Sequence, residues 1–87
     1  MAERLEILYF AWVRERIGLD GETIDHPGDA VRVSDLIAML SKRGEGHAAA
    51  FAEPARLRAA IDQKFVPLDA AIGSAREVAI FPPVTGG

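Results

Sequence analysis

The sequence predicts an α+β domain in which the apolar face of a small sheet packs on one main helix. Three observations carry this reading. The chain opens with an alternating segment and a second β segment set off by turn signals. Val33, Leu36, Ile37 and Leu40 then fall at i, i+3, i+4 and i+7, which is one apolar stripe of a helix. The chain closes with further β segments that stop at Pro82-Pro83. A length of 87 residues gives room for one compact domain and no second one.

The elements follow in order. From Glu3 to Phe10, Leu5, Ile7 and Tyr9 alternate against Arg4, Glu6 and Leu8, which predicts a strand. Ala11 to Ile17 places Val13 and Ile17 four apart among charged residues, and Gly18 follows as a stop, so a turn or two of helix is predicted. Glu22 to Asp25 lies between Asp20-Gly21 and Pro27-Gly28 and reads as a second strand, paired with the first as a hairpin. Ser34 and Asp35 suit the first turn of the main helix, and Lys42-Arg43-Gly44 suits its end. The Ala-rich stretch from Gly44 to Pro54 predicts a short helix anchored by Phe51. Arg56 to Ile61 has good helix formers and also alternates. A strand is chosen there, because a turn at Asp62-Gln63 and a strand at Lys64 to Pro67 then complete a hairpin. Glu77 to Phe81 is the last strand, ended by prolines that cannot continue a ladder.

Composition narrows the function classes. Thirteen acidic and ten basic side chains give a net charge of −3, and no basic run is longer than Lys42-Arg43, so nucleic acid is not an expected partner. The absence of cysteine removes thiolate chemistry, and the N-terminus has neither an apolar leader nor a membrane-length span, so a soluble cytoplasmic protein is expected. His26 and His47 lie in turn-like surroundings and read as surface or structural residues. Asp62, Asp69 and Glu77 read as turn-formers or a solvated face, Arg56 and Arg58 as a solvated strand face in preference to a small anion patch, and Trp12 and Phe51 as core or staple residues. The glycines form no phosphate loop, and no metal site is expected. A domain this small is not expected to enclose a large ligand cavity beside its core.

The chemistry is left to the last residues, F-P-P-V-T-G-G. Average glycine usage near 7% makes a terminal Gly-Gly a chance event at about half a per cent. Residues 1–81 are therefore read as the folded domain and residues 82–87 as a flexible tail. Pro82 and Pro83 stiffen the departure from the last strand. Thr85, Gly86 and Gly87 form a slender tip that can thread into a slot too narrow for side chains. The six residues from Pro82 to Gly87 reach at most about 20 Å. The reactive group at the tip is the Gly87 carboxylate, which is ionised at neutral pH and must be activated before a nucleophile can attack it. Conversion to an acyl-adenylate with ATP, followed by displacement of AMP by sulfur, would leave a thiocarboxylate. Phe81, Pro82, Pro83 and Val84 place apolar groups at the tail's root and are expected to centre a partner-binding patch, with the alternative that Phe81 is core.

L-Y-F-A-W-V-R-E-R-I-G (Leu8 to Gly18), A-A-I-D-Q-K-F-V (Ala59 to Val66) and above all E-V-A-I-F-P-P-V-T-G-G (Glu77 to Gly87) resemble the small, sulfur-carrying subunit of molybdopterin synthase, a ubiquitin-like β-grasp protein. The resemblance implies a β-grasp sheet of about five strands on one main helix. It also implies a cycle in which an adenylating enzyme uses ATP to activate Gly87 and a sulfur donor system makes the thiocarboxylate. The tail then enters the large synthase subunit, where sulfur passes to a cyclic pyranopterin monophosphate. No cofactor would be bound by this chain, and the catalytic pocket would belong to the large subunit. Two alternatives use the same residues: a carrier for another product, such as the thiamine thiazole or a thiolated tRNA, and an interaction module whose glycines are inert.

Overall fold

The computed structural model describes residues 3–83. The element order is β1 (Arg4–Tyr9), α1 (Ala11–Ile17), β2 (Gly21–Asp25), α2 (Val33–Leu40), α3 (Glu45–Ala50), a 3-10 turn (Pro54–Arg56), β3 (Arg58–Ile61), β4 (Lys64–Val66) and β5 (Glu77–Phe81). The five strands form one sheet in the order β2-β1-β5-β3-β4. Only the central β1–β5 pair is parallel, with Ile7 opposite Val78 and Tyr9 opposite Ile80; the β1–β2, β3–β4 and β3–β5 pairs are antiparallel. The parallel pair fixes where the chain leaves the domain. β5 ends at the same edge as β1, and the Phe10 N–H donates to the Ile80 carbonyl at 3.3 Å.

Strand alternation sorts the side chains into two faces. Leu5, Ile7, Tyr9, Ala59, Val78 and Ile80 are buried on one face, against the Val33, Leu36, Ile37 and Leu40 stripe of α2. The main helix does not cover this face alone. Ala50 and Phe51 of the third helical segment join the same core, with Phe51 buried as its expected anchor. Gly46 allows that approach, because a Cβ there would stand 2.5 Å from the Arg16 carbonyl oxygen at the end of α1.

Two details differ from the sequence expectations. Strand pairing begins at Arg58 and not at Arg56, because Pro54 starts a 3-10 turn in which Arg56 N–H donates to Glu53 O (2.9 Å) and Leu57 N–H to Pro54 O (2.9 Å). His47 lies on a helix, α3, and not in a turn. It is 9% exposed, which fits its structural reading. Trp12 is half-buried and packs against the margin of the core.

His47 belongs to a polar cluster centred on Glu22. Glu22 Oε2 accepts from the Tyr9 hydroxyl at 2.7 Å and lies 2.5 Å from His47 Nε2, while Glu22 Oε1 accepts from Arg43 Nε at 3.1 Å. One carboxylate thus joins β1, β2, α3 and the segment after α2. Burial opposes its ionisation, but the hydrogen bonds from Tyr9 and His47 and the charge of Arg43 outweigh that cost and hold it below the ordinary glutamate range. Burial, reinforced by the bond to Glu22, pushes the Tyr9 hydroxyl far above the usual tyrosine range.

Candidate functional site

The other face of the sheet carries no helix among the described residues, and its half towards the end of β5 is apolar, while Arg4, Glu6 and Glu77 occupy the other half. Leu8, Ala60, Ala79 and Phe81 occupy the positions out of phase with the core residues. Ala60 and Ala79 pair across β3 and β5 and are small, so they form the floor of an open hollow. Its rim includes Phe10, Phe65, Phe81, Pro82 and Pro83. Phe65 is 80% exposed, and its ring lies 5.6 Å from that of Phe81 at a 46° tilt. A continuous apolar surface of this kind marks an interaction site, because leaving it in water has a free-energy cost that a partner can remove. The hollow is open to solvent and is not an enclosed cavity.

Among the predicted site residues, Phe81 lies on this open face and is half-buried. Pro82 is half-buried, Pro83 is exposed, and both line the hollow, so the tail's root and the apolar face are continuous. Val84, Thr85, Gly86 and Gly87 lie outside the described residues. Sequence reasoning missed Phe10, Leu8, Ala60, Ala79 and, most consequentially, Phe65. The available signal was an apolar Leu8 in the outward phase of β1 and an aromatic flanked by Lys64 and Val66 in the second hairpin.

Asp62 and Arg58, set aside in the sequence, act structurally. Asp62 Oδ1 accepts from the N–H groups of Arg76 (3.0 Å) and Glu77 (3.1 Å), which orders the start of β5. Arg58 donates through Nη1 to the carbonyls of Ala55 (3.2 Å) and Leu57 (2.8 Å) and so braces the 3-10 turn. Among the described residues, no group of three or more His, Cys, Asp or Glu side chains could hold a metal ion, and no helix is long and apolar enough to cross a membrane.

A mixed five-stranded sheet with one helix-covered face, one open face and Pro82-Pro83 following its central strand defines a ubiquitin-like β-grasp domain. The chain belongs to the ThiS family, which matches residues 7–87. It is 37% identical over 83 residues to a protein of Haemophilus influenzae named molybdopterin synthase sulfur carrier subunit, covering 95% of this chain and 99% of that one. A Pyrococcus furiosus structure, provisionally described as subunit 1 of a molybdopterin converting factor, superimposes with a TM-score of 0.72 at 30% identity, covering 95% of this chain and all of that one (100%). The crystal structure of small archaeal modifier protein 1 from Haloferax volcanii gives a TM-score of 0.68 at 26% identity, covering 97% of this chain and 99% of that one.

Proposed function

We propose that this protein is a sulfur carrier for molybdopterin synthesis. The observation that carries the reading is the delivery of the tail's root, Pro82-Pro83, to the rim of an open apolar sheet face in a chain whose sequence finishes V-T-G-G. Near-full-length similarity to a named molybdopterin synthase sulfur carrier subunit supports it. The sheet face docks on a partner and the tip reaches into that partner's site. An adenylating enzyme joins the Gly87 carboxylate to the α-phosphate of ATP and releases pyrophosphate. A sulfur donor then displaces AMP and leaves a thiocarboxylate, and the large synthase subunit supplies the pocket in which sulfur passes to a cyclic pyranopterin monophosphate. Gly86 and Thr85 keep the tip slender enough to thread, and Phe81, Pro82, Pro83 and Val84 form the part of the contact nearest the tail.

Intact mass after incubation with the adenylating enzyme, ATP and a sulfur donor tests this reading. The expected product is heavier by the exchange of one oxygen for one sulfur, and a chain lacking Gly87 stays unchanged. An unaltered mass for the full chain contradicts it. The likeness to a small archaeal modifier protein favours a second reading, in which the activated carboxylate passes to an amine of another protein. The same experiment in the presence of candidate acceptors separates the two, since that product is a covalent conjugate.

A further inference from the structure

Beside the tail's root, α1 and the 3-10 turn form a second groove lined by Trp12, Ala55, Arg56, Pro82 and Pro83. Arg16 follows Trp12 by one helical turn, and its guanidinium carbon lies 4.4 Å from the indole centroid. Arg56 reaches the same ring at 5.5 Å. One half-buried indole therefore gathers two guanidinium groups, each held by attraction to the ring face. The neighbouring charges leave this pair largely uncompensated. Arg56 has Glu53 at 4.0 Å, with both side chains more than half exposed, and Arg14 is directed to Asp20 at 3.9 Å. Among the described residues no carboxylate lies within 4.0 Å of the Arg16 side chain. Arg58, bonded to the carbonyls on either side of Arg56, keeps the turn in place. A protein with net charge −3 thus carries a concentrated positive spot where its tail begins.

We propose that the Trp12–Arg16–Arg56 groove receives an acidic segment of the large synthase subunit, as a second docking point beside the tail's root. The inference rests on the sulfur-carrier reading above. Charge complementarity selects an acidic occupant. The apolar walls at Ala55, Pro82 and Pro83 select a carboxylate flanked by aliphatic residues over a free anion. Because Pro82 and Pro83 line both surfaces, a partner that grips the tail's root covers them together.

Trp12 is the single tryptophan of the chain, so biosynthetic fluorotryptophan gives one fluorine resonance located in the groove. Titration with the large synthase subunit should move that resonance. An Arg16→Gln/Arg56→Gln double variant should bind about twofold to thirtyfold more weakly, from two exposed ion pairs worth about 0.2–1 kcal/mol each, and its affinity should lose most of its salt dependence. Lys42→Gln, which removes a charge elsewhere, should do neither. An Arg16→Lys/Arg56→Lys variant should regain the salt dependence, and unchanged melting temperatures exclude misfolding. A complex that forms with the Trp12 resonance unmoved and the double variant equally tight overturns the groove's role and leaves the carrier reading intact. No complex with the unmodified chain overturns both. A shift produced by ATP alone, with none from the large subunit, overturns the proposal in favour of a phosphate site.

Discussion

Along β5, Val78 and Ile80 point into a core closed by α2, while Ala79 and Phe81 point onto a face that no element among the described residues covers. β1 divides the same way, with Ile7 and Tyr9 inward and Leu8 outward. At this end of the sheet both faces are apolar, so hydrophobicity alone does not separate fold from function here; the phase of each strand does. A one-residue slip in register would exchange the two sets. Substitutions one position apart should therefore have different consequences, on stability for one set and on association for the other.

The largest effect is expected from the covered face. Ile80 has no exposed surface, and Ile80→Ala should cost about 2–5 kcal/mol. In a domain of this size each kcal/mol lowers the melting temperature by roughly 4–8 °C, which thermal unfolding followed by circular dichroism will show. A loss under about 1 kcal/mol would mean that the α2 side of the sheet is looser than its burial indicates.

On the open face the same logic reverses. Phe65→Asp should leave the melting temperature nearly unchanged and weaken the complex with the large subunit by about 30-fold or more, the scale of an interface hot spot worth about 2 kcal/mol. Phe81→Asp should follow it in calorimetric titration. If Phe81→Asp unfolds the domain while Phe65→Asp does not, Phe81 belongs with the core after all.

Glu22 sharpens the comparison from the covered side, since it is the carboxylate that locks α3 over the hairpin. Its proton is bound less readily in the folded chain than in the unfolded one. The ionised form therefore contributes in full above its ordinary pKa of 4.5, and that contribution is lost as the pH falls through the lower folded value. Wild type should exceed Glu22→Gln in stability by about 1–2 kcal/mol near neutral pH, with the gap closing in acid. Tyr9 has the opposite sign: its neutral hydroxyl contributes fully below about pH 10 and loses that contribution at higher pH. Chemical denaturation across pH measures both limbs.

The smallest change concerns the β3–β4 turn, where Asp62 and Gln63 have φ of 47° and 72°. Left-handed backbone costs an ordinary residue about 1–2 kcal/mol, and glycine returns part of that gain through its greater unfolded freedom. Gln63→Gly should therefore raise stability by up to about 1 kcal/mol. Lower stability would show that the Gln63 side chain at the rim of the hollow makes contacts that outweigh the strain.

β1, α2 and β5 were legible because each is long enough for its period to show: three alternations in β1, four stripe positions in α2, and Pro82-Pro83 as a stop for β5. The start of β3 was not, since Pro54 sets a local turn whose hydrogen bonds compete with pairing at Arg56. Phe65 was illegible as a surface residue for a different reason. β4 has three residues, too few to display alternation, and the face of Phe65 is decided only by its pairing opposite Ala60. His47 gave no local sign of its place, because its partners Glu22 and Tyr9 lie 25 and 38 positions away in sequence. The tail chemistry was suggested by composition and spacing at the end of the chain, whereas the docking face needed the sheet order.

Docking by the folded domain and chemistry at its tip should therefore be separable, and a chain carrying one additional residue after Gly87 tests this most directly. Complex formation with the large subunit and thiocarboxylation by the adenylating enzyme, ATP and a sulfur donor are measured side by side for the extended and unmodified chains. The extra residue moves the terminal carboxylate by about 3.3–3.6 Å, and small misplacements of reacting groups carry large factors in rate. The expected result is an extended chain that still docks through Phe65 and Phe81 and acquires no sulfur. Normal thiocarboxylation of the extended chain, with the extra residue still present by mass, would contradict the separation of docking face and reactive tip.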